Sequence, residues 1–164
     1  MTNKKYFFIG IGGIGMSSIA QYLNEKGNTI IGYDASENKS VKILVKNGIQ
    51  VINQLSLMSI PDYMKNDDVI VIYTPAIPDD NIFLKYFRTN GKNPIYKRSE
   101  ILGEISKQSK CIAVAGTHGK TTTTAIISHL FNSSGLHFKA FIGGIMKCFD
   151  SNYINTGDDY IIVE

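Results

Sequence analysis

The sequence contains no tryptophan, only two cysteines and four prolines, and no apolar run that approaches the roughly 18 residues needed to cross a membrane. The apolar run 6–11 near the start is too short for the core of a signal peptide. Charge also lacks a dominant sign, because 17 basic and 14 acidic residues are scattered without a basic block. We therefore expect a cytoplasmic protein that neither inserts into membranes nor binds nucleic acid.

The two cysteines, Cys111 and Cys148, lie in apolar stretches and have neither CxxC spacing nor a nearby pair of histidines. Such cysteines are typical of reduced thiols packed in a core, and not of a metal site. We expect no disulfide bond.

Short apolar runs alternate with segments of helical periodicity along the whole chain. The predicted strands are 6–11, 29–33, 69–73, 94–96, 110–115, 138–142 and 160–163. The predicted helices are 14–26, 40–47, 82–89, 99–107 and 120–132. This alternation predicts an α/β fold built from parallel sheets covered by helices.

The order of strand, glycine loop and helix occurs twice, first at the start of the chain and again from residue 110. It predicts a Rossmann-like domain at 1–107, followed at 108–164 by the start of a P-loop-type ATPase α/β domain. Only about three strands are predicted after residue 108, fewer than a stable sheet usually has. We therefore expect the second domain to be incomplete.

The first glycine loop follows the GxGxxG pattern, with Gly10, Gly12 and Gly15 between a predicted strand and helix. Such glycines permit a tight turn, close approach of a diphosphate and tight packing of the helix, whose N-terminus favours anions. Asp34 ends the next predicted strand. The customary ligand would be NAD or FAD, and a purely structural turn is the alternative. Nothing downstream supplies a hydride-transfer site, so a different diphosphate fits better.

The second glycine loop, 116–121, reads GTHGKT and lies between the predicted strand and helix of the second domain. It is shorter than a standard phosphate loop, since Val114 stands where the first glycine would be. Backbone N–H groups from 116 to 122 could cradle phosphates, Lys120 could reach the β and γ phosphates of ATP, and the Thr121 hydroxyl could bind Mg²⁺. A glycine turn with an exposed lysine is the structural alternative.

Three further features lie near this loop. Four consecutive threonines, 121–124, are poor helix formers, which indicates that their hydroxyls are used, although Thr123 and Thr124 could simply cap the helix. His118 could contact phosphate or the acceptor, whereas His129 and His137 are more typical of packing or surface positions. Glu164 ends a predicted strand and is a candidate Mg²⁺ ligand, or an ordinary solvated glutamate.

The runs GIGGIGMS at 10–17 and GTHGKTTTT at 116–124 together resemble the Mur ligases. YTPAIPDDN at 73–81, PIYKRSEIL at 94–102, FIGG at 141–144 and DYIIVE at 159–164 fit the same family, so the resemblance spans nearly the whole chain. GIGGIGM favours the alanine-adding branch over the branch that recycles murein peptides. Thr74 and Pro75 depart from the usual pair of small hydroxyl residues, and the loop 144–158 is idiosyncratic.

The resemblance implies a ligase of peptidoglycan synthesis that uses ATP and Mg²⁺ to join L-alanine to UDP-N-acetylmuramate through an acyl phosphate. The implied substrate-binding residues are Gly12, Gly13, Gly15, Met16, Ser17, Asp34, Thr74, Pro75, Ala76 and Ile77. The implied ATP-binding residues are Gly116, Thr117, His118, Gly119, Lys120, Thr121 and Thr122, of which Lys120 and His118 would be catalytic. Thr121 and Glu164 would bind the metal. We expect the family's third domain to be absent from this chain, and the chain alone therefore to be inactive.

Two readings from other classes stay open at this point. One is an NAD-dependent oxidoreductase built on the first loop, and the other is a non-catalytic module that binds a nucleotide sugar. Titration with NAD and with UDP-N-acetylmuramate would separate the first reading from a ligase. The sequence gives no indication of oligomeric state.

Overall fold

The computed structural model describes residues 3–164, so residues 1 and 2 of the predicted first domain lie outside the described residues. The chain forms two compact units, one extending to Ile101 and the other from Leu102 to Glu164. This division falls inside a helix, whereas the sequence predicts a domain boundary after residue 107, at the end of that helix. Each unit has its own sheet.

Strands and helices alternate through most of the described chain. The strands are β1 (Lys5–Ile9), β2 (Thr29–Tyr33), β3 (Gln50–Ile52), β4 (Val69–Tyr73), β5 (Ile95–Lys97), β6 (Lys110–Ala113), β7 (Phe138–Met146), β8 (Ser151–Asn155) and β9 (Tyr160–Val163). The helices are α1 (Ile14–Glu25), α2 (Lys39–Lys46), α3 (Ile82–Asn90), α4 (Arg98–Ser106) and α5 (Lys120–Ser133). None of the helices within residues 3–164 has the length and apolar character required to cross a bilayer.

The first sheet is entirely parallel, with strand order β3-β2-β1-β4-β5. In the ladder, Ile9 at the end of β1 pairs with Tyr33 of β2 on one side and with Tyr73 of β4 on the other. The carboxyl ends of these three strands therefore lie at one edge. The loops that follow them meet there, at the point where the strand order reverses, which is the usual ligand position in open α/β sheets.

The core of the first unit lies on both faces of this sheet. Phe7 and Phe8 point to opposite faces, and both are fully buried. On one face, the Phe7 ring packs against Phe83 and Phe87 of α3, with ring centroids 5.6 and 5.2 Å apart. Burial on both faces explains why β1, β2 and β4 read as continuous apolar runs.

Helix ends follow local capping chemistry. The Asn38 side chain accepts a hydrogen bond from the Val41 N–H at the start of α2, and Asn81 caps α3 in the same way through Phe83 and Leu84. Each of these helices is followed by a glycine in the left-handed region, such as Gly91 with φ of 68°.

The second sheet is mixed, with order β6-β9-β7-β8. β6, β9 and β7 run parallel, and β8 pairs antiparallel with β7. Helix α5 covers this sheet, and its Phe131 ring packs edge-on against Phe138 and Tyr160 with centroids 5.8 and 5.3 Å apart. A small apolar core therefore forms within this unit.

The α/β fold class predicted from the sequence is confirmed, and 29–33, 69–73 and 160–163 are strands with the predicted bounds. The expectation of about three strands in the second unit is wrong, since there are four. The missing strand, β8, is a polar edge strand with little apolar signal. β3 was missed for a similar reason, being a three-residue edge strand. β1 ends at Ile9 instead of residue 11 because Gly10 turns the chain with φ of 84°.

The expectation of packed thiols is also wrong, because Cys111 and Cys148 are both exposed and free. Cys111 lies on β6, an edge strand whose side chains are poorly covered within the unit. Partial burial nevertheless raises the pKa of the Cys111 thiol above its ordinary value.

We expect Phe7→Ala to lower the free energy of unfolding of the first unit by about 3–5 kcal/mol, because it removes a buried ring and leaves a cavity between β1 and α3. Urea denaturation followed by circular dichroism would measure this loss. Met58→Ala is the matched control, since Met58 is 94% exposed and its truncation should leave the midpoint unchanged. Equal midpoints for both variants would contradict the packing described above.

Candidate functional site

The first glycine loop lies at the carboxyl edge of the first sheet, between β1 and α1. The N–H groups of Gly10 and Ile11 both donate to the Tyr33 carbonyl, at 2.8 and 3.0 Å. A Cβ at position 10 would lie 3.1 Å from Cγ2 of Thr74 and 3.2 Å from Cδ1 of Ile77. The turn after β4 therefore rests directly against this loop.

Asp34, which follows β2, holds the loop in place. Its Oδ2 accepts a 2.7 Å hydrogen bond from the Gly12 N–H, and its Oδ1 accepts one from the Ser36 N–H at 2.9 Å. The Asn38 side chain donates to the Gly12 carbonyl at 3.1 Å, which ties the cap of α2 to the same glycine. Each carboxylate oxygen thus already accepts one backbone bond.

Two cavities adjoin Asp34, which lines both. One, of about 490 Å³, lies beside α2, where Lys42, Lys46 and Glu37 contribute to its wall. The other, of about 540 Å³, lies between the glycine loop and the turn after β4. The lining of the second cavity includes Gly10, Tyr33, Asp34, Ala35, Leu55, Ile77, Pro78, Asp80, Asn81 and Ile82.

The structure brings only some of the predicted substrate residues to these cavities. Asp34 and Ile77 line a cavity, Thr74 lies beside Gly10, and Pro75 and Ala76 are exposed in the turn. The Met16 and Ser17 side chains are buried, and their N–H groups already donate to the Gly13 carbonyl.

Three predicted glycines, Gly12, Gly13 and Gly15, shape the loop without lining either cavity. Sequence reasoning missed Asn38, Asn81 and the lysines of α2. For the two asparagines a signal was available, because Asn38 and Asn81 stand just before the predicted helices 40–47 and 82–89, where capping residues occur.

The second glycine loop, 116–119, lies at the carboxyl end of β6. Gly116 and Gly119 both have positive φ, at 154° and 78°, and Gly119 precedes the first residue of α5. Among residues 3–164, none accepts a hydrogen bond from the N–H groups of 116–122; the first N–H that is bonded back is that of Thr123, to the Gly119 carbonyl. The loop therefore presents a row of open donors at a helix N-terminus, which favours an anion.

Lys120 is half-buried, and its ammonium donates a 2.6 Å hydrogen bond to the Gly116 carbonyl. The charge thus lies within the loop instead of extending into bulk water. Thr117, His118, Gly119 and Thr122 are exposed around it. A positive charge beside open N–H groups makes this loop suited to phosphate.

Thr121 and Glu164 meet beside β7. The Thr121 hydroxyl donates to Oε1 of Glu164 at 2.8 Å, and Oε2 of Glu164 is buried without a hydrogen-bond partner within the described chain. Gly143 makes room for the pair, since a Cβ there would collide with Glu164 Oε1 and lie 3.1 Å from Thr121 Oγ1. A buried, unpaired carboxylate oxygen beside a hydroxyl is a typical arrangement for a hard cation.

The remaining threonines do not cap α5. Gly119 occupies the cap position, and α5 has no side-chain cap there. Thr123 is exposed, whereas Thr124 is fully buried on the inner face of the helix. His129 and His137 are exposed surface residues, as expected.

These features define an α/β protein with two strand–glycine loop–helix turns, each at the carboxyl edge of a sheet with parallel strands. The sequence profile described as "Mur ligase family, catalytic domain" matches residues 5–110. The chain belongs to the Mur ligase family, and the resemblance noted from its motifs is confirmed. The matched segment ends before the second glycine loop.

Individual relatives cover both loops. The chain is 40% identical over 163 residues to a UDP-N-acetylmuramate–L-alanine ligase from Christiangramia forsetii, covering 98% of this chain and 36% of that protein. The crystal structure of UDP-N-acetylmuramate-alanine ligase MurC from Thermotoga maritima matches with a TM-score of 0.87 and 33% identity, over 97% of this chain and 36% of that one.

The crystal structure of UDP-N-acetylmuramate:L-alanyl-gamma-D-glutamyl-meso-diaminopimelate ligase from Neisseria meningitides matches with a TM-score of 0.86 at 24% identity, over 99% of this chain and 52% of that one, which shows the shared fold. The chain spans about a third of the length of the curated relatives that it matches.

We expect Asp34→Ala to destabilise the first unit by about 1–3 kcal/mol, because it leaves the N–H groups of Gly12 and Ser36 without their acceptor. Chemical denaturation would measure the loss. Asp79→Ala is the control, since its carboxylate forms an exposed ion pair with Arg88 and should change stability little. If the two variants were equally stable, Asp34 would not be holding the glycine loop.

Proposed function

We propose that this chain is part of an ATP-dependent ligase that joins L-alanine to the carboxylate of UDP-N-acetylmuramate. The observation that carries the proposal is the 116–122 loop, where Lys120 lies among backbone donors that have no acceptor in the described chain. The names of the similar ligases, at 40% identity over almost the whole chain, support the choice of substrates. Residues 1–107 would form the UDP-sugar domain, and 108–164 the first part of the ATP-binding domain.

The first loop would hold the diphosphate of the UDP-sugar. Gly12, Gly13 and Gly15 add no side chains of their own, although Asp34 and Arg98 from other segments occupy the space beside Gly12 and Gly15. The turn Thr74–Ile77 lies beside Gly10. In NAD enzymes, the acidic residue after the second strand receives ribose hydroxyls. Here each carboxylate oxygen of Asp34 already accepts a hydrogen bond from a backbone N–H. This arrangement supports a site for the diphosphate of a UDP-sugar, and not the NAD site of an oxidoreductase.

The second loop would hold the phosphates of ATP. Lys120 would exchange its bond with the Gly116 carbonyl for the β and γ phosphates, and the N–H groups of 116–122 would take the remaining oxygens. His118, exposed in the same loop, would contact the γ phosphate or the incoming carboxylate.

The reaction needs activation because a carboxylate is a poor electrophile. A muramoyl carboxylate oxygen attacks the γ phosphorus, the bond to the bridging oxygen breaks, and ADP leaves. The amine of L-alanine then attacks the acyl carbon and expels phosphate, with loss of one amine proton. Lys120 would neutralise charge on the phosphoryl group as it transfers, and such positioning and electrostatic stabilisation dominate phosphoryl transfer.

Thr121 and Glu164 fit a magnesium ion. The buried Oε2 of Glu164 lacks a partner in the described chain, and carboxylate and hydroxyl oxygens are the donors that Mg²⁺ prefers. No cluster of three His, Cys, Asp or Glu residues occurs in the part of the chain that is described. Phosphates and water would therefore supply the other ligands, as Mg²⁺ commonly requires. When bound, the ion supplies positive charge next to the phosphates.

We expect Lys120→Ala in the complete protein to lower the rate of amide formation by about 10³-fold or more, because it removes the charge next to the transferring phosphoryl group. Binding of UDP-N-acetylmuramate, measured by calorimetry, should stay nearly unchanged. Lys107→Ala, which removes an exposed charge paired with Glu104, is the control and should retain activity. If Lys120→Ala lost UDP-N-acetylmuramate binding together with amide formation, the assignment of two separate sites would be contradicted.

We expect Glu164→Gln to weaken binding of Mn²⁺, used as a paramagnetic substitute for Mg²⁺, by about tenfold in the presence of a non-hydrolysable ATP analogue. Electron paramagnetic resonance would measure the free ion. Gly143→Ala should act similarly without altering a ligand, because the added methyl group displaces the Glu164 carboxylate. Glu104→Gln is an exposed control. Unchanged Mn²⁺ affinity in both test variants would refute the metal site.

Calorimetry with different ligands separates the alternatives. Heat on titration with NAD, without heat from UDP-N-acetylmuramate, would support an oxidoreductase. Binding of the UDP-sugar by a complete protein that forms no product would support a non-catalytic module. Acceptance of a murein peptide in place of L-alanine would indicate the recycling ligase of the same family.

A further inference from the structure

Arg98, the first residue of α4, lies against the first turn of α1. A Cβ at Gly15 would collide with Nη1 of Arg98 and would lie 3.1 Å from its Cζ and 3.2 Å from its Cδ. The third glycine of the GxGxxG motif therefore has a specific function in this chain. It leaves the space that the Arg98 guanidinium occupies.

Within residues 3–164, this guanidinium has no acidic partner. The Arg98 side chain is half-buried, and its guanidinium forms no ion pair or hydrogen bond with any residue of the described chain. The other arginine, Arg88, pairs with Asp79 at 3.0 Å. An arginine that is partly removed from water usually has an acidic partner, so the missing partner of Arg98 calls for an explanation.

The surroundings of Arg98 add further positive potential. α1 has no acidic residue in its first turn and no side-chain cap, so the positive end of its dipole is uncompensated. The N–H of Gly15 also donates to no residue within 3–164. On the other side of the loop, the Gly12 N–H already has the Asp34 carboxylate as its acceptor. The region around Gly15 is therefore the open part of the loop.

We propose that Arg98 binds the diphosphate of the nucleotide sugar, as a side-chain ligand that the GxGxxG motif does not include. This inference rests on the proposed function, because it assigns a partner to the phosphates at the first loop. A guanidinium offers two parallel N–H donors to phosphoryl oxygens, and a phosphate that accepts from the Gly15 N–H is within reach of it. The diphosphate would supply the negative charge that Arg98 and α1 both lack.

The test is calorimetric titration of the complete protein with three probes: UDP-N-acetylmuramate, UDP and uridine. Arg98→Met keeps much of the apolar stem and removes the charge. We expect this variant to bind UDP-N-acetylmuramate and UDP about tenfold to a hundredfold more weakly, the loss typical of one hydrogen-bonded charge. Its affinity for uridine should stay unchanged. Arg98→Lys should recover part of the loss, since it restores charge without the paired donors.

Two controls separate recognition from structure and from net charge. Lys92→Ala also removes one positive charge, but Lys92 lies before β5, at the opposite edge of the sheet, and pairs with Asp67. The Lys92→Ala variant should bind all three probes with the affinity of the wild type. Thermal unfolding of Arg98→Met should match the wild type, because the guanidinium bonds to none of the described residues in the free protein.

The possible results are distinguishable. If the wild-type protein does not bind UDP-N-acetylmuramate, the proposed function fails, and this inference fails with it. If the wild type binds and Arg98→Met binds the diphosphates equally well, only the role of Arg98 is refuted. A parallel loss of uridine affinity in Arg98→Met would show a structural role and would likewise overturn the proposal.

Discussion

Both loops are governed by one constraint: the first N–H groups of a helix have no partner inside the helix and need an acceptor from elsewhere. In the first loop, the Met16 and Ser17 N–H groups of α1 donate to the Gly13 carbonyl, and just before the cap the Asp34 carboxylate accepts from the Gly12 N–H. In the second loop, no acceptor for 116–122 exists in the described chain. The two glycine loops therefore differ in kind, one held partly by its own carboxylate and the other open to an anion.

The position of these loops could be predicted because parallel strands in register end at one edge. The continuous apolar runs of β2, β4 and β9 gave bounds that agree with the structure, since strands buried on both faces carry a strong signal. β3 and β8 escaped prediction because edge strands are short or polar and need less apolar character. Cys111 was misjudged because the composition of a strand does not reveal how well its sheet edge is covered.

The roles of individual site residues were harder to predict, because they depend on contacts between segments distant in sequence. The GxGxxG motif predicts that an acidic residue at the position of Asp34 binds ribose hydroxyls, yet the Asp34 oxygens accept hydrogen bonds from backbone N–H groups. Gly15 and Gly143 are small because side chains from remote segments, Arg98 and Glu164, occupy the space next to them. A motif thus predicts where a glycine is required, whereas the structure reveals which group requires it.

The threonine run of α5 shows how a binding function and stability can be separated along one helix. Each threonine costs roughly 0.5 kcal/mol of helix propensity relative to alanine, so the run disfavours the N-terminal turns of α5. The Thr121 hydroxyl bonds Glu164, which accounts for one of the four, whereas the Thr124 hydroxyl is buried without a hydrogen-bond partner in the described chain. The other end of α5 offsets the cost, because Phe131 packs against β7 and β9. Since packing at one end holds the helix, the residues at its start can be selected for what they bind instead of for helix formation.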